Sequence, residues 1–195
     1  MKLYYAPGAC SLAGHISLHE AAIDVELVKV DLKTKQTEDG EDYKLLNPKG
    51  YVPALVLDGG QILTENVAVL AWISQHGRLA EPVGELGSYR LLEMLAFIST
   101  ELHKAFKPFF SPEASDEEKS RAGNAIAGRL TYLAQRWQGD YLFGSEFSVA
   151  DAYLFVMLLW AEKNGLAAPG PLRDFGERMK QRPAVQLALR HEGLA

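Results

Sequence analysis

A single cysteine, Cys10, in a chain of 195 residues rules out an internal disulfide and any Cys-x-x-Cys redox pair. One lone thiol fits a reducing compartment, and a cytoplasmic location is expected. No stretch approaches the ~20 apolar residues of a membrane span. The N-terminal MKLYYAPGACSLAGHISLHEA lacks the unbroken apolar core of a secretory leader, so no membrane association is expected. Basic residues are outnumbered, 20 against 25 acidic, for a net charge of −5. That balance argues against a broad phosphate-binding face, and nucleic acid is not an expected partner. Internal repeats and low-complexity segments are absent too. What remains, 48% hydrophobic and 23% charged, is the composition of a globular protein long enough to bury a core.

The first part of the chain mixes short strands and helices. KLYYA (2–6), aromatic and bounded by Pro7-Gly8, reads as a strand, and SLAGHISLHEAA (11–22) as a helix with Ser11 as its cap. DVELVKVDL (24–32) reads as a second strand, parallel to the first through a right-handed crossover. Lys33–Asp42 is polar enough for a loop or a short irregular helix. ALVLDGGQIL (54–63) is a hairpin around Asp58-Gly59-Gly60. TENVAVLAWISQHG (64–77) is a helix with Thr64 as N-cap and Gly77 as its stop.

Composition then shifts. RLAEPVGELG reads as a linker, and beyond it no strand pattern appears. Long amphipathic helices are expected over 88–110 and 115–138, a strongly apolar one over 148–165, and two shorter ones after it. The expected organisation is an α/β domain over 1–77, a linker over 78–86 and an all-α domain over 87–195.

Several positions carry candidate chemistry. Cys10 lies where a strand ends and a helix begins. The unpaired N–H groups and partial positive charge there favour a thiolate, whereas a free cysteine is equally often a small buried hydrophobe. Val52-Pro53 precedes a strand; a cis bond there would leave the Val52 backbone open to an extended peptide, and an ordinary turn proline is the plainer reading. Glu65-Asn66 opens a helix, where backbone N–H groups can hold a carboxylate. Glu101, His103 and Lys104 fall in mid-helix and read, alone, as a solvated face. His15 and His19 share a helix face at i, i+4, but no further ligands are apparent, so they are assigned to structure and no metal is expected. In FSVADAYLF, Ser148 and Asp151 have capping-box spacing.

Taken together, MKLYYAPGACSL, NPKGYVPAL, LTENVAVLAWI and FSVADAYLF, in this order and spacing, resemble a glutathione S-transferase, most closely of the bacterial beta class, across essentially the whole chain. The resemblance implies a thioredoxin-like N-terminal domain, an α-helical C-terminal domain and a homodimer. It implies glutathione as co-substrate and small apolar electrophiles as partners. Val52, before a cis-Pro53, would pair with the cysteinyl part of glutathione. Glu65 and Asn66 would hold the γ-glutamyl end, and Lys35 and Tyr51 would lie near the glycine end. Cys10 would sit beside the glutathione sulfur, with Ser11 and Tyr5 as nearby polar candidates. Thr100, Glu101, His103 and Lys104 would contribute from the helical domain, and Phe106, Phe109 and Phe110 would form an apolar wall for the electrophile. The N-terminus of the first helix, the Ser11 hydroxyl, and cationic or polar help from His103 and Lys104 would keep the glutathione thiol ionised.

Two departures stand out. Asn66 replaces a common serine, and Ala96 stands where the family often has an asparagine. Conjugation is the expected activity. The alternatives are a glutathione-dependent thiol–disulfide oxidoreductase or reductive dehalogenase with Cys10 as nucleophile, and a non-catalytic ligand-binding or stress protein.

Overall fold

The computed structural model describes residues 1–77 and 79–195. Arg78, the first residue of the expected linker, lies outside the described residues. In chain order the elements are β1 (Lys2–Tyr5), α1 (Ser11–Glu20), β2 (Glu26–Asp31), β3 (Gln36–Thr37), α2 (Tyr43–Leu46), β4 (Ala54–Val56), β5 (Ile62–Thr64), α3 (Asn66–Gly77), α4 (Gly87–Phe97), α5 (Lys107–Phe110), α6 (Asp116–Gln135), α7 (Val149–Lys163), α8 (Gly170–Lys180) and α9 (Pro183–His191). The chain divides into two compact units, Met1–Ala80 with Arg182–Ala195, and Glu81–Gln181. This differs from the expected all-α domain over 87–195. The terminal segment, with α9, belongs to the first unit because α9 packs on α1.

In the first unit the strands run β3-β2-β1-β4-β5, with β1 and β2 parallel and the other pairs antiparallel. Alternation along β1 sets the layers. Tyr4 lies opposite Val28 and Ala54, and these cluster with Ala6, Val30, Tyr43 and Val52. The Tyr4 and Tyr43 rings stack at 5.5 Å and anchor α2 to the sheet. Leu3, in register with Leu27 and Leu55, is fully buried, as are Leu12 and Ile16 of α1 and Leu70 and Ile73 of α3.

One expected helix signal acts differently. Thr64 ends β5, so it does not cap α3; Glu65 occupies the junction with φ of 71°. α3 does end at Gly77, as expected, and the glycine also permits a close approach: a Cβ there would stand 2.4 Å from that of Ala21.

In the second unit α7 is buried along nearly its whole length. The expected helix over 88–110 is interrupted. After α4 the chain makes a π-helical turn, Ile98–Leu102, then a 3-10 turn, His103–Phe106, before α5. Pro108 at the start of α5 lacks the N–H that a regular helix needs. Capping boxes start α6 at Ser115/Glu118 and α7 at Ser148/Asp151. Phe147, before the second box, meets Tyr141 edge-on at 6.2 Å. Among the described residues, no helix is long and apolar enough to cross a membrane.

Candidate active site

The turn from β1 to α1 is stitched by Ser11. Its side chain is fully buried; the hydroxyl accepts from the Ala6 N–H (3.3 Å) and donates to the Ala6 carbonyl (3.4 Å). Its one O–H donor is thereby used inside the turn. Ser11 is the first helical residue, and Cys10 is the N-cap. The expectation that Ser11 caps α1 and offers a free catalytic hydroxyl is corrected accordingly.

Cys10 is partly buried, and its Sγ donates to the Val52 carbonyl at 3.5 Å. Burial pushes the thiol up from 9.0 to about 12, with a smaller push from Glu65. The N–H groups of Cys10 and Ser11 act in the opposite direction and are outweighed. The helix terminus is where the sequence places it, but desolvation wins and Cys10 is a neutral thiol at pH 7.

Opposite Cys10, the Val52-Pro53 bond is cis. The loop before it is held by Asn47, whose amide donates to the Tyr51 carbonyl at 2.8 Å, and by the Tyr43 hydroxyl, which donates to the same carbonyl at 3.1 Å. The Val52 N–H has no hydrogen-bond partner among the described residues. Lys35 lies beside this loop, its stem against Gly50, with φ of 61°. Tyr51 is exposed, and Lys49 stands over its ring at 5.8 Å.

At the start of α3 the Glu65 carboxylate is exposed and paired with Lys49, which also donates to the Thr64 hydroxyl at 2.8 Å. Lys49 was not among the residues expected here; partners 16 positions apart leave no local sequence signal. Asn66, next to Glu65, is buried, and neither its amide nitrogen nor its amide oxygen has a partner. A buried primary amide unsatisfied at both ends costs several kcal/mol, of order 1–3 for each group, unless something else pairs with it. Lys35 and Glu65 hold left-handed backbone at non-glycine residues, a conformation found disproportionately at ligand sites.

The remaining candidate of this unit, Tyr5, is buried with its ring 5.8 Å from His15. Burial, and then Glu192, raise its hydroxyl above the usual tyrosine range, which keeps it protonated. Thr100, Glu101, His103, Lys104, Phe106, Phe109 and Phe110 all belong to the second unit. Thr100 donates to the Ala96 carbonyl at 3.0 Å, and Arg129 holds Glu101 through two nitrogens at 2.9 and 3.2 Å. His103 Nδ1 meets the Tyr153 hydroxyl at 2.7 Å, and its ring meets Trp160 edge-on. Burial, then Lys104, lowers its pKa, so His103 is neutral at pH 7, and of the cationic or polar help expected from it the polar kind remains. Phe106 is fully buried among Phe109, Phe110 and Trp160 and is core, not substrate wall. The exposed side chains among these candidates are Thr100, Lys104 and Phe110, the last backed by Trp160 at 4.8 Å.

The family pattern described as "Glutathione S-transferase, N-terminal domain" matches residues 8–76, and "Glutathione S-transferase, C-terminal domain" matches 97–183. Glutathione S-transferase GstA of Escherichia coli O157:H7 is 44% identical over the whole of both chains. The chain belongs to the glutathione S-transferase family. Among solved structures, this transferase is similar to that of a sphingomonad complexed with glutathione, at 47% identity, TM-score 0.93 and full coverage of both chains. It is likewise similar to the beta-class enzyme of Sphingomonas chungbukensis, at 45% identity, TM-score 0.91 and full coverage of both. The transferase therefore has the thioredoxin-like and helical domains of its family.

Proposed function

We propose that the enzyme joins the thiolate of glutathione to small apolar electrophiles, and that Cys10 takes part as a protonated thiol, not as the nucleophile. The observation that carries the binding half is Asn66. Its amide, unpartnered and buried beside Glu65 at the start of α3, supplies both a donor and an acceptor. The γ-glutamyl end of glutathione offers the complements, a carboxylate and an ammonium. The free N–H groups of the first turn of α3 reinforce the carboxylate contact, and Glu65 reinforces the ammonium contact. The Val52 N–H and carbonyl form the edge on which the cysteinyl residue pairs as an added strand.

A ligand N–H on the Val52 carbonyl displaces the Cys10 thiol now bonded there. The freed S–H then donates to the glutathione sulfur as that sulfur becomes anionic. In the reaction the glutathione thiol loses its proton to solvent and its sulfur attacks the electrophilic carbon. The C–S bond forms as the bond to the leaving group breaks.

Substitution of Asn66 separates binding from folding. Asn66→Ala is expected to weaken glutathione binding, read by titration calorimetry, by ~10-fold or more, the size of a lost hydrogen bond to a charged group. The ligand-free variant is expected to melt no lower than the wild type, because the amide has no partner to lose. Unchanged affinity, or a fall in melting temperature alone, would assign Asn66 to the fold and remove the main support for this site.

A further inference from the structure

We infer that His15, His19 and His191 form a binding site for a divalent transition metal of the zinc class, distinct from the glutathione site. His15 and His19 lie one turn apart on α1. The fold adds His191 from the last turn of α9, in the same compact unit. One ring nitrogen from each residue lies within 4.8 Å of the other two. The rings form a triangle, with centroids 4.9, 5.6 and 5.4 Å apart.

Two features distinguish this cluster from three stacked rings. First, His15 Nδ1 lies 2.9 Å from Oε1 of Glu192, and both side chains are fully buried. A carboxylate only accepts, so Nδ1 is the donor of this pair and Nε2 is the nitrogen left to face a metal. Orientation of a ligating histidine by a carboxylate on its other nitrogen is the usual outer-shell arrangement at zinc. Glu192 is fixed in turn by the Gly8 N–H, which donates to its Oε2 at 2.8 Å. Second, Nε2 of His15 and Nε2 of His19 are both buried with no hydrogen-bond partner. Two adjacent buried nitrogens without partners are costly unless a cation or a water uses their lone pairs.

Three imidazoles at zinc require ring nitrogens roughly 3.4 Å apart, from Zn–N distances of about 2.0–2.1 Å. His191 is exposed at the end of its helix, so its side chain is free to rotate toward the other two rings. Its exposure also gives the ion a way in, and a water completes a tetrahedral set. The bound ion would clamp α9, the last helix of the chain, to α1.

The test uses the full-length enzyme stripped with a chelator, then titrated with Zn²⁺ by calorimetry and with Co²⁺ by visible absorption. One equivalent should bind. Co²⁺ should give a d–d band without the thiolate charge-transfer band that coordination by Cys10 would bring. Saturating Zn²⁺ should raise the melting temperature by about 5 °C or more. His191→Ala, at an exposed position, should weaken Zn²⁺ binding at least ~10-fold and abolish the thermal shift. His76→Ala, which removes an exposed histidine outside the cluster, should leave both unchanged. Failure to bind Zn²⁺, affinity unchanged in His191→Ala, or a thiolate band with Co²⁺ would each overturn the assignment.

Discussion

Iodoacetamide is expected to modify Cys10 at pH 8 at least ~100-fold more slowly than it modifies free glutathione. Only the thiolate reacts. A free thiol with pKa of ~8.5 is about a quarter ionised at pH 8. A thiol held at about 12 is ionised to roughly one part in ten thousand. The gap of ~1,000-fold leaves room for differences in intrinsic nucleophilicity, which favour the more basic sulfur. The sign of the stability effect follows from the same shift. The folded value lies above the unfolded one, so the Cys10 contribution is complete below pH ~8.5 and is lost as pH rises towards about 12. Following alkylation by mass spectrometry between pH 7 and pH 10 tests this. A rate matching free glutathione would show that the terminus of α1 prevails over desolvation after all.

Asp151→Ala is expected to cost about 4 kcal/mol of stability, the sum of two to three unsatisfied buried groups at 1–3 kcal/mol each. The carboxylate is fully buried. One oxygen accepts from the Leu142 N–H at 2.8 Å; the other accepts from the Ser148 N–H at 2.8 Å and from the Ser148 hydroxyl at 2.6 Å. Alanine leaves these donors facing one another in a dry interior. It also removes the cap of α7, the helix on which the second unit is built. For a chain of this size the melting temperature should fall by ~10 °C. Thermal denaturation by circular dichroism reads this directly, and a change under ~2 °C would show that water reaches the vacated site.

Signals that act between sequence neighbours are legible in the chain. The Asp58-Gly59-Gly60 hairpin, the capping-box spacing of Ser148 and Asp151, and the strand–turn–helix around Cys10 depend on neighbours in sequence, and the structure has all three. Burial decides what the chain alone does not show. Ser11 looks like a free hydroxyl until Ala6 folds over it. His103 reads as either a cation or a neutral polar group until Tyr153 and Trp160 enclose it and leave it neutral. Phe106, Phe109 and Phe110 look alike in sequence, and only packing separates the buried ring from the exposed one.

Distance along the chain hid the rest. Glu192 lies 177 positions from His15, so nothing near His15 and His19 announces the carboxylate or the third imidazole. Asn66 was legible as a helix-start residue, but an amide satisfied at neither end appears only once its surroundings are built. That amide makes Asn66 the most informative side chain of the site.

The central claim is that the thiolate of bound glutathione attacks and Cys10 does not. Initial-rate turnover of Cys10→Ala beside the wild type, with glutathione and chlorodinitrobenzene, tests it most directly. Loss of one weak S–H donor should reduce kcat/KM by no more than ~10-fold, equivalent to about 1.4 kcal/mol. A loss beyond ~1,000-fold, with glutathione still binding, would contradict the account and make Cys10 the nucleophile.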